Sequence, residues 1–181
     1  VVGVDVDEVK VEALRLARAP FYEPGFDALL EEQMQAGRLS WTKDYSETAD
    51  CDLHFICVGT PQQAGSHNAD LTFVRAAIRE LVTWLKPGAV IVGKSTVPVG
   101  TGREIEAVMR ESWAKPGERP VVVWNPEFLR EGCAVNDTLR PDRIVIGAPT
   151  GDSGQRAVRA VEEAYASIIA SGTPLMITDL E

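Results

Sequence analysis

Apolar positions along the chain follow two rhythms. Short, near-continuous apolar runs recur at residues 1–6, 39–42, 53–58, 89–93, 121–124, 143–147 and 175–178. Runs this short, with little alternation, predict strands covered on both sheet faces. Between them the apolar spacing changes to three and four. Val74, Ile78, Leu81, Val82 and Leu85 make one helical face, with Asp70 or Thr72 placed to cap its start and Pro87-Gly88 to end it. Val158, Val161, Tyr165 and Ile168 predict a helix beginning near Ser153, and Phe26, Leu29, Leu30 and Met34 another that Gly37 stops. Two more are expected, at about residues 7–18 and at 102–112, where Ile105, Val108 and Met109 recur. Strand and helix in alternation predict an α/β fold: a Rossmann-like, doubly wound, mainly parallel sheet. Residues 62–68 and 115–120 read as surface loops.

Composition narrows the function classes. Of 181 residues, 45% are hydrophobic and 25% charged, enough apolar material for a sizeable core. Eighteen basic residues against 27 acidic ones leave a net charge of −9, and no basic block offers a phosphate-backbone footprint, so no nucleic-acid partner is expected. No apolar run approaches the roughly 18–20 residues that span a bilayer, so no membrane partner is expected either. Cys51, Cys57 and Cys133 have no metal-like spacing and read as reduced thiols, which points to the cytoplasm. Cys57 is expected in strand core and Cys51 in a loop, and Cys133 has no neighbouring His or Lys to activate it. His54 and His67 are expected to be structural or solvated, with no metal site. The chain opens on Val1 inside a strand-like run and stops soon after another, so it reads as an internal stretch of a longer parent.

In open α/β sheets ligands bind at the carboxyl ends of the strands, and four loop segments there carry chemistry. Asp5 could accept hydrogen bonds from an adenosine ribose, with Lys10 in reach of the same group; the alternative is a surface Asp beside a solvated Lys. The glycine-rich G-x-G-x-x-G turn that would settle the matter is absent. Val58-Gly59-Thr60-Pro61 is either a turn that lets a ligand approach the backbone or an ordinary strand end. In Lys94-Ser95-Thr96-Val97-Pro98-Val99-Gly100, Ser95 and Thr96 could position a ligand or water, or cap the next helix. In Asn125-Pro126-Glu127-Phe128-Leu129-Arg130-Glu131-Gly132, Glu127 could serve as a base while the loop backbone grips a substrate; alternatively the charges mark a solvated helix start.

Taken in order, these segments, together with Tyr22-Glu23-Pro24-Gly25, Gly37-Arg38-Leu39 and Pro141-Asp142-Arg143, resemble the UDP-glucose/GDP-mannose dehydrogenase family. The resemblance implies one incomplete NAD-binding domain over residues 1–181, lacking its first strand and glycine-rich turn, with the family's central helical and C-terminal sugar-nucleotide domains outside the chain. It implies NAD as cofactor, and oxidation of the C6 alcohol of a nucleotide sugar to a carboxylate in two hydride transfers, through a thioester on a cysteine. The substrate implied is UDP-glucose, giving UDP-glucuronate. GDP-mannose is the alternative, as is a non-catalytic binding module, and the full-length parent is expected to be a homo-oligomer. By the same resemblance Asp5 and Lys10 hold the ribose. Val58, Thr60, Pro61, Ser95 and Thr96 line the NAD site. Glu127, Phe128, Leu129, Arg130 and Glu131 grip the sugar nucleotide, with Glu131 also beside the cofactor. Glu127 assists acid–base work and hydrolysis, and Thr96 positions water. With its first strand absent, the stretch alone is expected to be poorly stable and inactive.

Overall fold

A computed structural model of the chain describes residues 1–65 and 68–180. His67 lies outside them, as does part of the expected 62–68 loop. The elements run β1 (Val2–Val4), α1 (Glu8–Arg15), α2 (Phe26–Gln35), β2 (Ser40–Thr42), β3 (Leu53–Ile56), α3 (Thr72–Leu81), β4 (Val90–Gly93), α4 (Thr101–Ser112), β5 (Val121–Trp124), α5 (Ala134–Leu139), β6 (Ile144–Ala148), α6 (Asp152–Ala164), α7 (Ala166–Ala170) and β7 (Leu175–Asp179). All seven expected strands form, most of them shorter than their apolar runs. The helix expected from Ser153 to Ile168 is broken at Tyr165 into α6 and α7. A 3-10 turn at Tyr45–Thr48 and the six-residue α5 were not foreseen, because neither has room for a repeating apolar face.

The strands form two sheets and the chain two compact units. One unit comprises Val1–Ala49 and Phe128–Pro141. Its sheet is the parallel pair β1–β2, in register Val2 with Ser40 through Val4 with Thr42, and α1 packs on β2. Asp7 caps α1 by accepting from the Val9 and Lys10 N–H groups. Val11, Leu14 and Leu30 are its buried apolar side chains.

The second unit comprises Asp50–Glu127 and Asp142–Glu181. Its sheet runs β3-β4-β5-β6-β7, parallel except where β5 meets β6. Side chains alternate across it. Val90, Val92, Val123, Ile144 and Ile146 cluster with Ala157, Val158 and Val161 of α6. Ile91 and Val122 point the other way; α4 packs on β5 and against α3, bringing Ile105 and Met109 into the core. Gly93 is required here: it faces the Trp124 indole on the neighbouring strand, and a Cβ would clash with that ring. Because β3, β4 and β5 are parallel, their carboxyl ends, at Ile56, Gly93 and Trp124, share one edge of this sheet.

Candidate functional site

Three of the four singled-out segments begin at that shared edge, and hydrogen bonds tie them together. Ser95 Oγ donates to the Val58 carbonyl at 2.6 Å, and Thr60 Oγ1 donates to the Thr96 carbonyl at 2.8 Å. Trp124 Nε1 donates to the Ser95 carbonyl at 3.0 Å, and the Glu127 N–H to the Lys94 carbonyl at 3.2 Å. The corners after β3, β4 and β5 therefore form one connected rim. Val58, Thr60, Pro61, Ser95, Thr96 and Glu127 all stand on it.

The two hydroxyl residues at 95 and 96 are not helix caps. The residue preceding α4 is Gly100, at φ 89°, and Thr101 bonds back to the Pro98 carbonyl. Ser95 is buried and its proton is engaged by Val58, while Thr96 is exposed at the edge. Gly59 faces open space: a Cβ there would meet nothing within 4 Å. A flat ligand can thus approach the backbone between Val58 and Thr60.

A polar cluster that sequence reasoning missed stands behind the rim. Asn125, buried, donates through Nδ2 to the Val145 carbonyl at 2.8 Å. Its Oδ1 accepts from the Tyr165 hydroxyl at 2.8 Å and from Lys94 Nζ at 3.3 Å. Lys94 Nζ also lies 3.1 Å from the Tyr165 oxygen. Asn125 and Lys94 stood in the singled-out segments without a role, and Tyr165 counted only as part of a helical face. Tyr165 stands at the junction where α6 ends and α7 begins.

The β1–β2 unit carries the other expected residues. The Asp5 carboxylate is held at the end of β1 by the Asp7 N–H, at 2.9 Å from Oδ1, while Oδ2 lies 3.5 Å from Lys10 Nζ. Both side chains remain substantially exposed, so the pair adds little stability and stays available to a ligand. Phe128, Leu129, Arg130 and Glu131 lie exposed in the segment leading to α5. Arg130 grips Asp137 through Nε and Nη2, at 3.0 and 2.7 Å, and its own N–H adds a third bond at 3.0 Å. Those donors hold the Asp137 carboxyl down at about 2. In the same unit the buried Glu23 of the Tyr22-Glu23-Pro24-Gly25 run accepts from the Val135 N–H at 3.3 Å.

The remaining candidates separate clearly. His54 is buried, bonded to the Cys51 carbonyl and held below its ordinary value by burial, a structural role. Cys57 corrects an expectation: it falls one residue past β3 and is exposed rather than core, because the strand ends at Ile56. Cys51 precedes β3 in a loop, as expected, and Cys133 is exposed beside α5. Among the described residues no cluster of His, Cys, Asp and Glu could hold a metal ion, and no helix is long and apolar enough to cross a membrane. A depression lined by Pro149, Gly151, Gly154, Arg159 and Asp179 lies toward the other end of the five-stranded sheet and includes none of the rim residues.

Comparison with known proteins shows the family of the chain. The model for the NAD-binding domain of the UDP-glucose/GDP-mannose dehydrogenase family matches residues 1–169. The chain belongs to this family. It is 46% identical over 179 residues to the UDP-glucose 6-dehydrogenase of Rhizobium meliloti (strain 1021), which covers 98% of this chain and 40% of that protein. The structure of a UDP-glucose dehydrogenase from Pyrobaculum islandicum matches it with a TM-score of 0.85 at 38% identity, over 99% of this chain and 40% of the other. A ternary complex of GDP-mannose dehydrogenase from Pseudomonas aeruginosa matches with a TM-score of 0.86 at 33% identity, over 99% and 41%. The chain thus spans about 40% of the length of these relatives. The Rossmann-like reading stands, and so does NAD, since the matched segment is the family's NAD-binding domain.

Proposed function

We propose that this chain is the NAD-binding domain of a nucleotide-sugar 6-dehydrogenase that oxidises the C6 alcohol of UDP-glucose to the carboxylate of UDP-glucuronate. The observation that carries the reading is the connected rim. The Glu127 turn is hydrogen-bonded to the Lys94 carbonyl, beside Ser95 and Thr96, at the sheet edge where α/β folds bind ligands. UDP-glucose is favoured over GDP-mannose by the names of the more similar relatives, while the likeness to a GDP-mannose dehydrogenase keeps that substrate as the second reading.

The residues fit the cofactor. Asp5 offers carboxylate oxygens to ribose hydroxyls, Lys10 stands beside it, and the open backbone at Gly59 can take a flat ring or a pyrophosphate closely. Val58, Thr60, Pro61, Ser95, Thr96 and Glu131 are assigned to the same task. NAD, when bound, accepts the hydride. The chain's own residues orient and move protons. Glu127 takes a proton from the C6 hydroxyl or from water, Thr96 positions that water, and the segment from Glu127 through Phe128, Leu129 and Arg130 to Glu131 holds the sugar nucleotide. In this reading the covalent thioester stage and the contacts that choose the base belong to the other domains of the enzyme, which works as a homo-oligomer in the cytoplasm.

The test is turnover by the full-length protein carrying this chain, with UDP-glucose and GDP-mannose in parallel, following NADH. UDP-glucose should give the higher kcat/KM. Glu127→Gln should slow turnover by about 10²–10⁴-fold and let a covalent sugar-nucleotide adduct accumulate, visible by mass spectrometry. Turnover of neither sugar, with NAD still bound, would favour the binding module. An unchanged Glu127→Gln would remove that residue from the chemistry.

A further inference from the structure

We propose that Lys94, Tyr165 and Asn125 form a positioning pin that fixes the Glu127 turn against the Ser95-Thr96 corner; the catalytic part of this inference rests on the proposed dehydrogenase activity. The hydrogen bonds close on themselves in only one sense. Asn125 Nδ2 donates to the Val145 carbonyl, which turns Oδ1 toward Tyr165 and Lys94. The Tyr165 hydroxyl donates its single proton to that oxygen, so its lone pairs face Lys94 Nζ, which donates to both. Lys94 Nζ stands 5.7 Å from the Tyr165 ring centroid but 3.1 Å from its hydroxyl, so the contact is a hydrogen bond to the phenol rather than a charge over the ring. Phe55 meets the same ring edge-on at 6.3 Å and limits where it can move.

The positions of these three residues give the cluster its consequence. Lys94 immediately precedes Ser95-Thr96, Asn125 immediately precedes Pro126-Glu127, and the Lys94 carbonyl receives the Glu127 N–H. The backbones of both corners are therefore bonded to each other directly and, one residue behind, through side chains anchored on the α6–α7 junction. Pro126 between pin and Glu127 has a fixed φ, so a change at Asn125 is transmitted rather than absorbed. The Lys94 amine is spent on Asn125 Oδ1 and the Tyr165 hydroxyl, so in this proposal it acts on Glu127 through them.

The experiment compares Lys94→Met, Tyr165→Phe and the double variant in the full-length protein. Misplacing a base by about 1 Å can cost about 10²-fold, so each single change should lower kcat by about 10–10²-fold, with KM for NAD within a factor of two. The double variant should lose no more than the worse single one, since either change breaks the same closed network. Hydrogen exchange at the Glu127 amide supplies a readout that needs no turnover: protection should fall in both single variants while β4 amides keep theirs. Losses that add, or unchanged kcat with unchanged Glu127 protection, overturn the pin. A wild-type protein that turns over no nucleotide sugar sinks the dehydrogenase reading instead, and the exchange measurement still decides whether Lys94 and Tyr165 hold the turn.

Discussion

In the five-stranded unit every residue of β4 is buried, and Ile91, Val92, Val122, Val123 and Ile146 are exposed by 1% or less. In the β1–β2 unit Thr42 is the only strand residue that is buried, while Val6, Val9, Leu16 and Tyr22 are exposed by 65% or more. The starting material is alike: residues 1–4 (Val-Val-Gly-Val) are as apolar as residues 90–93 (Val-Ile-Val-Gly). What differs is how many layers meet the strand. β4 has a parallel neighbour on each side and α6 against its Val90–Val92 face, whereas β1 pairs with β2 alone among the described residues. A pair of strands is marginal without further packing. An apolar run therefore announces a strand but not its stability, which is set by the partners that gather around it.

The sharpest way to break this comparison is to remove matched core side chains. Ile146→Ala, in the deeper core, should cost about 2–5 kcal/mol in urea unfolding of the protein. Leu30→Ala, in the smaller unit, should cost less than half as much, because fewer fixed neighbours surround the lost atoms. Equal losses would show that the two cores are equally consolidated. Next in size is local opening. Amide exchange in β1 and β2 should proceed through openings well short of global unfolding and orders of magnitude faster than in β4 and β5. Uniform protection across both sheets would remove the distinction.

A smaller effect belongs to His54. Burial disfavours its charged form and holds its pKa below 6.5. The folded state thus binds the proton less readily than the unfolded chain. The stabilisation is complete above 6.5 and is lost as pH falls toward the folded value. Acidification from neutral pH should lower the urea midpoint of the protein, and His54→Gln should flatten that dependence. An undiminished slope in the variant would assign the effect to other groups.

These contrasts also explain what could be read from the sequence. Strand positions were legible because five of the seven end in the larger sheet, where burial on both faces writes a dense apolar run. The Lys94, Ser95, Thr96 and Glu127 segment positions were legible too, since strand ends in a parallel sheet share an edge. Their hydrogen bonds were not. Nothing in the order Lys94-Ser95-Thr96 says that Ser95 turns inward to Val58 while Thr60 reaches the Thr96 carbonyl, because both partners come from another loop. Tyr165 packs on the core as its helical spacing says, but that spacing does not show that its hydroxyl reaches Asn125 from another element. Cys57 shows the limit at an element's boundary, where a one-residue difference in strand end turns a core thiol into an exposed one.

The smallest effect tests whether the exposed segment of the lesser unit is as loose as its burial suggests. Arg130 is 74% exposed, yet its fork and N–H make three bonds to Asp137. The Asp137 carboxyl consequently sits at about 2 instead of 3.8. Its stabilising contribution is present above the unfolded value and fades as pH falls from there to about 2, a range where solvent screening keeps the energetic effect modest. A carboxyl-carbon NMR titration should place the Asp137 midpoint near 2, and Arg130→Lys, which loses the bidentate fork, should raise it toward 3.8. Under the proposed function, adding UDP-glucose should leave that midpoint unchanged, because the segment would grip the sugar nucleotide by its backbone while the guanidinium stays on Asp137. A midpoint that climbs when the sugar nucleotide is added would mean that the ligand takes Arg130 away, and that this pair orders the empty loop only.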